Sequence, residues 1–340
     1  MQEESSLNIS SLALAELTEL ELVLEKELST GSSFISKEAL RVLKSGGKRL
    51  RPLLTILFAM SGNPYDAQCA RYAAAAIETM HMATLVHDDT IDNAEQRRGI
   101  DTTFKKHGIH TAVYTGDWML LKSLKMLSKI ENTESVPPPN GLLNILMDGL
   151  ESVCNGEIDQ YYGRGKIPTT KVYLQRIKGK TAALFSASCA AGAKIAGWSD
   201  SDVFSASQFG ENFGFAFQIR DDMIDIVSTG AKAGKPVEND LREGIITMPL
   251  LLVCNKSRSF RMTLQAYLAD PNHLSATQII KEAINLGATQ LANVKCDFYI
   301  DKCFKLLDTM PQSIAVDDLR QLVLAIFPGY LNVNQQEEIL

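Results

Sequence analysis

Two short acidic stretches constrain this chain more than anything else in it: His87-Asp88-Asp89-Thr90-Ile91-Asp92 and Asp221-Asp222-Met223-Ile224-Asp225. Each closes an apolar run of helical period. Each places carboxylates at i and i+4, which on a helix lie one turn apart on one face. Like charges held there beside apolar residues are costly unless a cation sits between them. Hard oxygen donors on a rigid helix suit Mg²⁺, which keeps several waters and bridges carboxylates to phosphates. Singly, such a run is also a common solvated helix face. Two of them, each ending an apolar segment and with a basic stretch upstream, point to facing pairs that share a metal–diphosphate cluster.

The rest of the pattern is helical. Apolar residues at helical spacing predict an amphipathic N-terminal helix within residues 1–30, a second over 33–45 closed by Gly46-Gly47, and a third opening at Arg51-Pro52. Asn63-Pro64-Tyr65-Asp66 is a turn and cap from which helical period runs through Asp92. Residues 99–108 read as a polar loop, 131–141 with Pro137-Pro138-Pro139 as a proline-rich surface loop, and 229–244 as a charged, glycine-containing loop. Thr169-Thr170 and Ser199-Asp200 cap further helices, and 180–196 is a small-residue helix suited to a crowded centre. No run alternates as strands do. The fold class is therefore all-α, a helical bundle over residues 1–340 as a single domain.

Hydrophobic residues make up 45% of the 340, enough for a large core, and a net charge of -6 gives no footprint for nucleic acid. An anionic ligand would need local basic clusters. The six cysteines form no Cys-x-x-Cys and read as free thiols in a reducing cytosol. Neither a leader pattern nor a membrane-length apolar run is present, which gives a cytoplasmic expectation.

The basic clusters exist. Lys44-Ser45-Gly46-Gly47-Lys48-Arg49-Leu50-Arg51-Pro52 joins glycines, cations and a helix start, the parts of an anion site, or else forms a solvated turn. Arg97-Arg98-Gly99 follows the first aspartates and can clamp phosphate or pair with Glu95 or Asp101. Lys178-Gly179-Lys180-Thr181 offers charge and a hydroxyl, and Lys235-Pro236 follows the second aspartates. His81 shares the helix face of Asp88, seven residues on, which favours ligand contact over a core role.

With these residues in place the chain resembles the trans-isoprenyl diphosphate synthases. The resemblance is carried by Gly46–Pro52, His87–Asp92, Arg97-Arg98-Gly99, Gly179-Lys180-Thr181, Phe217–Asp225 and Gly234-Lys235-Pro236, in order, over roughly residues 40–250. The stretches Ile77–Asp92, Tyr114–Asp117, Val153–Glu157 and Asp297–Met310 look most like the catalytic large subunit of bacterial heptaprenyl diphosphate synthases. The resemblance implies an all-α fold around a deep cavity. It also implies Mg²⁺-dependent condensation of isopentenyl diphosphate with an allylic diphosphate such as farnesyl diphosphate. Asp88, Asp92 and Asp221 would hold the metal, with Asp89, Asp222 and Asp225 nearby. Arg97, Lys180, Thr181, Gln218 and Lys235 would contact the allylic diphosphate, Lys180 counting also among the catalytic residues. Lys48, Arg51, His81 and Arg98 would hold isopentenyl diphosphate. The implied assembly is a homodimer or a heterodimer with a small regulatory subunit. Two departures stand out: Ile245 follows Glu243-Gly244 where the family often has Lys, and the C-terminus ends acidic at Glu337-Glu338.

Product length would be set below the first aspartates. Ala83 and Thr84 lie roughly 6–8 Å beneath Asp88 at ~1.5 Å per residue. Both are small, so the expected product exceeds fifteen carbons, heptaprenyl for quinone side chains being the expectation and geranylgeranyl or hexa-/octaprenyl the alternatives. Tight helix packing would select the same small residues. Met119 and Leu124 are candidates for the channel floor. A terpene cyclase would not need Asp221–Asp225 in this form or the Lys48/Arg51 cluster, and a non-catalytic regulatory subunit would not need its aspartates.

Overall fold

The computed structural model describes residues 9–31, 33–130, 141–227, 239–271 and 275–330. Among these the chain is all-α apart from one two-residue hairpin, as expected. It divides into two compact units. Unit 1 takes in residues 1–150, 184–208 and 309–326; unit 2 takes in 151–183, 209–308 and 327–340.

Unit 1 is built on α3 (Leu50–Met60) and α4 (Ala67–Ile91), with α4 packed along α5 (Thr103–Ile130). Asp66 caps α4 by accepting from Cys69 N at 2.9 Å, which fixes where the long aspartate-bearing helix begins. Its interior is alanine-rich, and Ala73 to Ile77 are fully buried, so neighbours approach closely. The N-terminal helix α1 (Ser11–Ser29) packs on α4 and on α2 (Ser33–Lys44). Of its glutamates, Glu16 and Glu27 are buried, Glu16 with Arg71 Nε on α4 at 2.6 Å and Glu27 paired with Lys129 on α5. Residues 103–107, read from the sequence as part of a loop, are helical; the glycine that suggested the loop, Gly108, is a non-helical kink with φ 78° inside α5.

Unit 2 receives most of α6 (Leu142–Tyr162), all of α7 (Thr170–Ile177) and the aspartate-bearing end of α9 (Asp200–Val227). Between α7 and α8 (Ala183–Ile195), Lys178–Ala182 form a π-helical turn where the sequence pattern suggested plain helix. The turn lies where a glycine pair lets two backbones meet: a Cβ on Gly156 would sit 2.5 Å from Lys180 N. Phe209, Phe213 and Phe217 stack along α9 at 6.2 and 6.5 Å, and Phe327 meets Phe213 edge-on at 5.4 Å. Burying rings of this size contributes about 1.5–3 kcal/mol each. The short α10 (Asn239–Arg242) leads to α11 (Met248–Lys256), which packs on α7, α12 (Arg258–Ala269) and α13 (Ala276–Asn285). α14 (Ala288–Thr309) places Tyr299 against Phe215, and α15 (Ile314–Ile326) packs on α3 within unit 1. The proline-rich loop at 131–141 lies, but for Gly141, outside the described residues, as does most of 229–244. No helix among the described residues is long and apolar enough to cross a membrane.

Candidate active site

In unit 1, α4 ends at Ile91 and Asp92 is its C-cap, with its N–H donating to Asp88 O at 2.9 Å. Asp88 is half-buried and Asp92 exposed, so the pair one turn apart sits at the open helix end. Asp89 points elsewhere: it is buried, and Arg97 Nε donates to its Oδ1 at 2.7 Å. Arg97 comes from a two-residue strand, Gln96–Arg97, paired with Ile100–Asp101. Arg98 and Gly99 turn that hairpin with φ 52° and 78°, the left-handed pair such a tight turn requires. The turn carries Arg98 against the glycine loop, where a Cβ on Gly47 would lie 2.9 Å from Arg98 Nη1. A side chain at 47 would collide with that guanidinium.

The basic loop ahead of α3 splits into outward and inward residues. Lys48 is exposed. Arg51, in the first turn of α3, donates from Nη1 to His81 Nε2 at 3.1 Å and lies 4.2 Å over the Phe185 ring. An arginine only donates, so His81 Nε2 accepts and the ring's proton is on Nδ1. Burial, and then the charges of Arg51, Arg98, Arg97 and Arg49, hold His81 well below the usual imidazole range. It is a neutral ring whose Nδ1–H is a donor. Arg49 turns inward instead: buried at φ 48°, it reaches Glu78 at 2.8 Å, Glu21 at 2.6 Å and Leu43 O at 3.0 Å. The sequence suggested no role for Arg49 of its own; the signal was Glu78, one acid inside an apolar run. Ala83 is fully buried, and half-buried Thr84 donates its hydroxyl to His81 O at 2.8 Å. Met119 is buried and Leu124 half-buried.

In unit 2, Lys180 on the π turn lies 3.0 Å from Glu157 on α6, a partner the sequence reading did not single out. Thr181 donates to Gln218 Oε1 at 2.6 Å, and Gln218 Nε2 donates to Asp222 Oδ1 at 3.0 Å. Asp222 Oδ2 accepts from the Tyr173 hydroxyl and from Met248 N at 3.1 Å. Burial pushes the Asp222 carboxyl up to about 7, against the downward pull of its bonds from Tyr173, Gln218 and Met248. Asp221 beside it is half-buried and Asp225 exposed. Lys235 lies outside the described residues. A cavity of about 380 Å³ within unit 2 is lined by Arg220, Met223, Ile224 and Val227, a different face of α9 from the one bearing Gln218, Asp221 and Asp225.

The ligands expected for a metal are all carboxylate oxygens, hard donors that fit Mg²⁺. Among the described residues no group of three or more His, Cys, Asp or Glu side chains forms a metal cage. Mg²⁺ does not require one, since it keeps waters and takes phosphate oxygens.

Residues 33–286 match the family model described as polyprenyl synthetase. The chain belongs to the polyprenyl synthetase family. The heptaprenyl diphosphate synthase component 2 of Bacillus subtilis is 35% identical over 302 residues, 88% of this chain and 84% of that protein. The nonaprenyl diphosphate synthase of Mycobacterium tuberculosis is 32% identical over 273 residues, 80% of this chain and 78% of that one. The crystal structure of heptaprenyl diphosphate synthase from Staphylococcus aureus superposes with a TM-score of 0.85 at 31% identity, covering 92% of this chain and 97% of that one. This polyprenyl synthetase is thus a prenyl diphosphate synthase, an enzyme that transfers prenyl groups, with the all-α fold of its relatives. A regulatory, non-catalytic role is not favoured by this company.

Proposed function

We propose that the chain condenses isopentenyl diphosphate with an allylic diphosphate, farnesyl diphosphate first among them, into a long all-trans polyprenyl diphosphate, heptaprenyl in length. Support for the length comes from the small size of Ala83 and Thr84, in the helix that leads to Asp88. Neither side chain can plug a channel for a growing chain. Support also comes from the similarity to heptaprenyl synthases. Asp88, Asp92 and Asp221 would hold Mg²⁺, which when bound would neutralise charge on a departing diphosphate. Arg97, Lys180, Thr181, Gln218 and Lys235 take the allylic diphosphate. Lys48, Arg51, Arg98 and the neutral His81 take that of isopentenyl diphosphate. The allylic C–O bond breaks with its electron pair going to diphosphate. The π electrons of isopentenyl diphosphate then form the new C–C bond, and transfer of a proton to the departed diphosphate restores a double bond. The chain's part is positioning, charge and exclusion of water.

The purified chain should incorporate radiolabelled isopentenyl diphosphate with Mg²⁺ and not after chelation, and mass spectrometry of the products gives the length. Products no longer than fifteen carbons would overturn the long-chain reading. The name component 2 borne by the Bacillus subtilis relative supports a further subunit, in which case co-expression rescues an inactive chain. On the proposed path of the growing chain past Ala83, Ala83→Phe should shorten the main product by at least one five-carbon unit at unchanged starter use. An unchanged product ladder would remove the channel argument.

A further inference from the structure

We propose that Tyr173 is a positioning residue for the second aspartate motif: by donating to Asp222 it fixes the turn of α9 from which Asp221 and Asp225 are presented. The inference rests on the reading of Asp221 as a metal ligand.

The three aspartates of this motif do not share one environment. Asp222 is 4% exposed and Asp221 half-buried, while Asp225 is exposed. A buried carboxylate is tolerated only where donors replace its water. Here both oxygens are taken. Oδ1 accepts from Gln218 Nε2 at 3.0 Å; Oδ2 accepts from Met248 N at 3.1 Å and from the Tyr173 hydroxyl. Asp222 is thereby a fastener between three elements, α9, the start of α11 and α7, and its oxygens are spent on protein.

Gln218 is on the same helix as Asp222 and cannot by itself hold that helix against another. Met248 supplies a main-chain donor, and among the described residues Tyr173 is the one side chain from another helix that reaches the carboxylate. The segment that carries Tyr173 runs directly into the π turn with Lys180 and Thr181, and Thr181 donates to Gln218 Oε1 at 2.6 Å. That bond also orients the Gln218 amide so that its nitrogen faces Asp222. Two connections from α7 and its π extension therefore converge on one carboxylate, direct through Tyr173 and indirect through Thr181 and Gln218. Asp221 and Asp225 share the backbone of Asp222, so a rotation of α9 allowed by a missing donor moves both together. Outer partners of metal ligands typically govern about 10–100-fold in metal affinity.

The test is Mn²⁺ binding by electron paramagnetic resonance in the presence of inorganic pyrophosphate, read beside the Mg²⁺ concentration for half-maximal elongation. Tyr173→Phe should weaken Mn²⁺ binding and raise the Mg²⁺ requirement about tenfold, with the KM for isopentenyl diphosphate little changed. Asp222→Asn should do the same. The Tyr173→Phe/Asp222→Asn double variant should be no worse than Asp222→Asn alone, because Tyr173 acts through that carboxylate. Unchanged metal affinity in folded Tyr173→Phe, or effects that simply add in the double variant, overturns the proposal. Should Tyr173→Phe not accumulate as folded protein, unchanged affinity in Asp222→Asn overturns it equally. Asp221→Asn separates the two readings: if it leaves Mn²⁺ binding intact, the metal assignment itself has failed.

Discussion

Asp221→Asn is expected to cut elongation by at least about 10²–10³-fold while the protein remains folded, the scale on which loss of one preorganised charge contact slows a reaction that develops charge. The substitution keeps the shape of the side chain and removes its charge. Asp221 is only half-buried, so its amide can be solvated. Asp88→Asn should behave alike, since Asp88 too is half-buried at an open helix end. Raising Mg²⁺ should recover part of the rate in both, because weakened binding of a metal is offset by its concentration. Asp89→Asn should differ in kind. Asp89 is buried and holds Arg97 Nε at 2.7 Å, so its replacement frees Arg97 and costs stability, and added Mg²⁺ restores nothing. Incorporation of labelled isopentenyl diphosphate across a Mg²⁺ titration, with a denaturation curve for each variant, reads all three. Activity within tenfold of the parent in Asp221→Asn would remove the catalytic role assigned to it.

That division among adjacent aspartates marks how far the sequence could be read. Helices and their ends were legible because caps and periodicity act locally: Asp66 opens α4, Gly46 at φ 83° follows α2, and Ser199 accepts from Asp202 N at 3.3 Å ahead of α9. The motifs at the ends of α4 and α9 were legible for the same reason. Which aspartate of each run turns inward was not. Neighbours on a helix point about 100° apart, and the choice is made by partners far away in the chain, Arg97 from a hairpin for Asp89 and Tyr173 and Met248 for Asp222. The π turn at Lys178–Ala182 was hidden too, since it lies where Gly156 on α6 approaches the backbone of Gly179 and Lys180, a contact distant in the chain. Glu157 was hidden behind the same contact, for an acid four residues from a helix's exposed tyrosines reads as surface until Lys180 is placed 3.0 Å away. The basic stretch at the start of α3 was legible as basic, not as an exposed Lys48, a buried Arg49 and a half-buried Arg51.

Of those three, Arg49 carries the second large expectation: Arg49→Met should destabilise unit 1 by about 3–5 kcal/mol, the usual cost of stripping one partner from a buried ion pair. Arg49 is 9% exposed and Glu78, 2.8 Å from it, is 4% exposed inside α4. Methionine fills much the same volume, so the loss is of charge rather than of packing. Glu21, the other partner, has a side chain 43% exposed and can turn to water, so its pair contributes little. Glu78 has no such route and must either stay charged without a cation or take up a proton. The Arg49→Met/Glu78→Leu double variant should therefore regain most of the loss, because replacing both partners by apolar side chains leaves nothing charged in the core. Urea denaturation of the parent, both single variants and the double variant gives the cycle. Stability of the double variant equal to the sum of the two losses would show that Arg49 and Glu78 act independently. Recovery of stability without recovery of isopentenyl diphosphate affinity would show that Arg49 also sets the course of the backbone between Lys48 and Arg51.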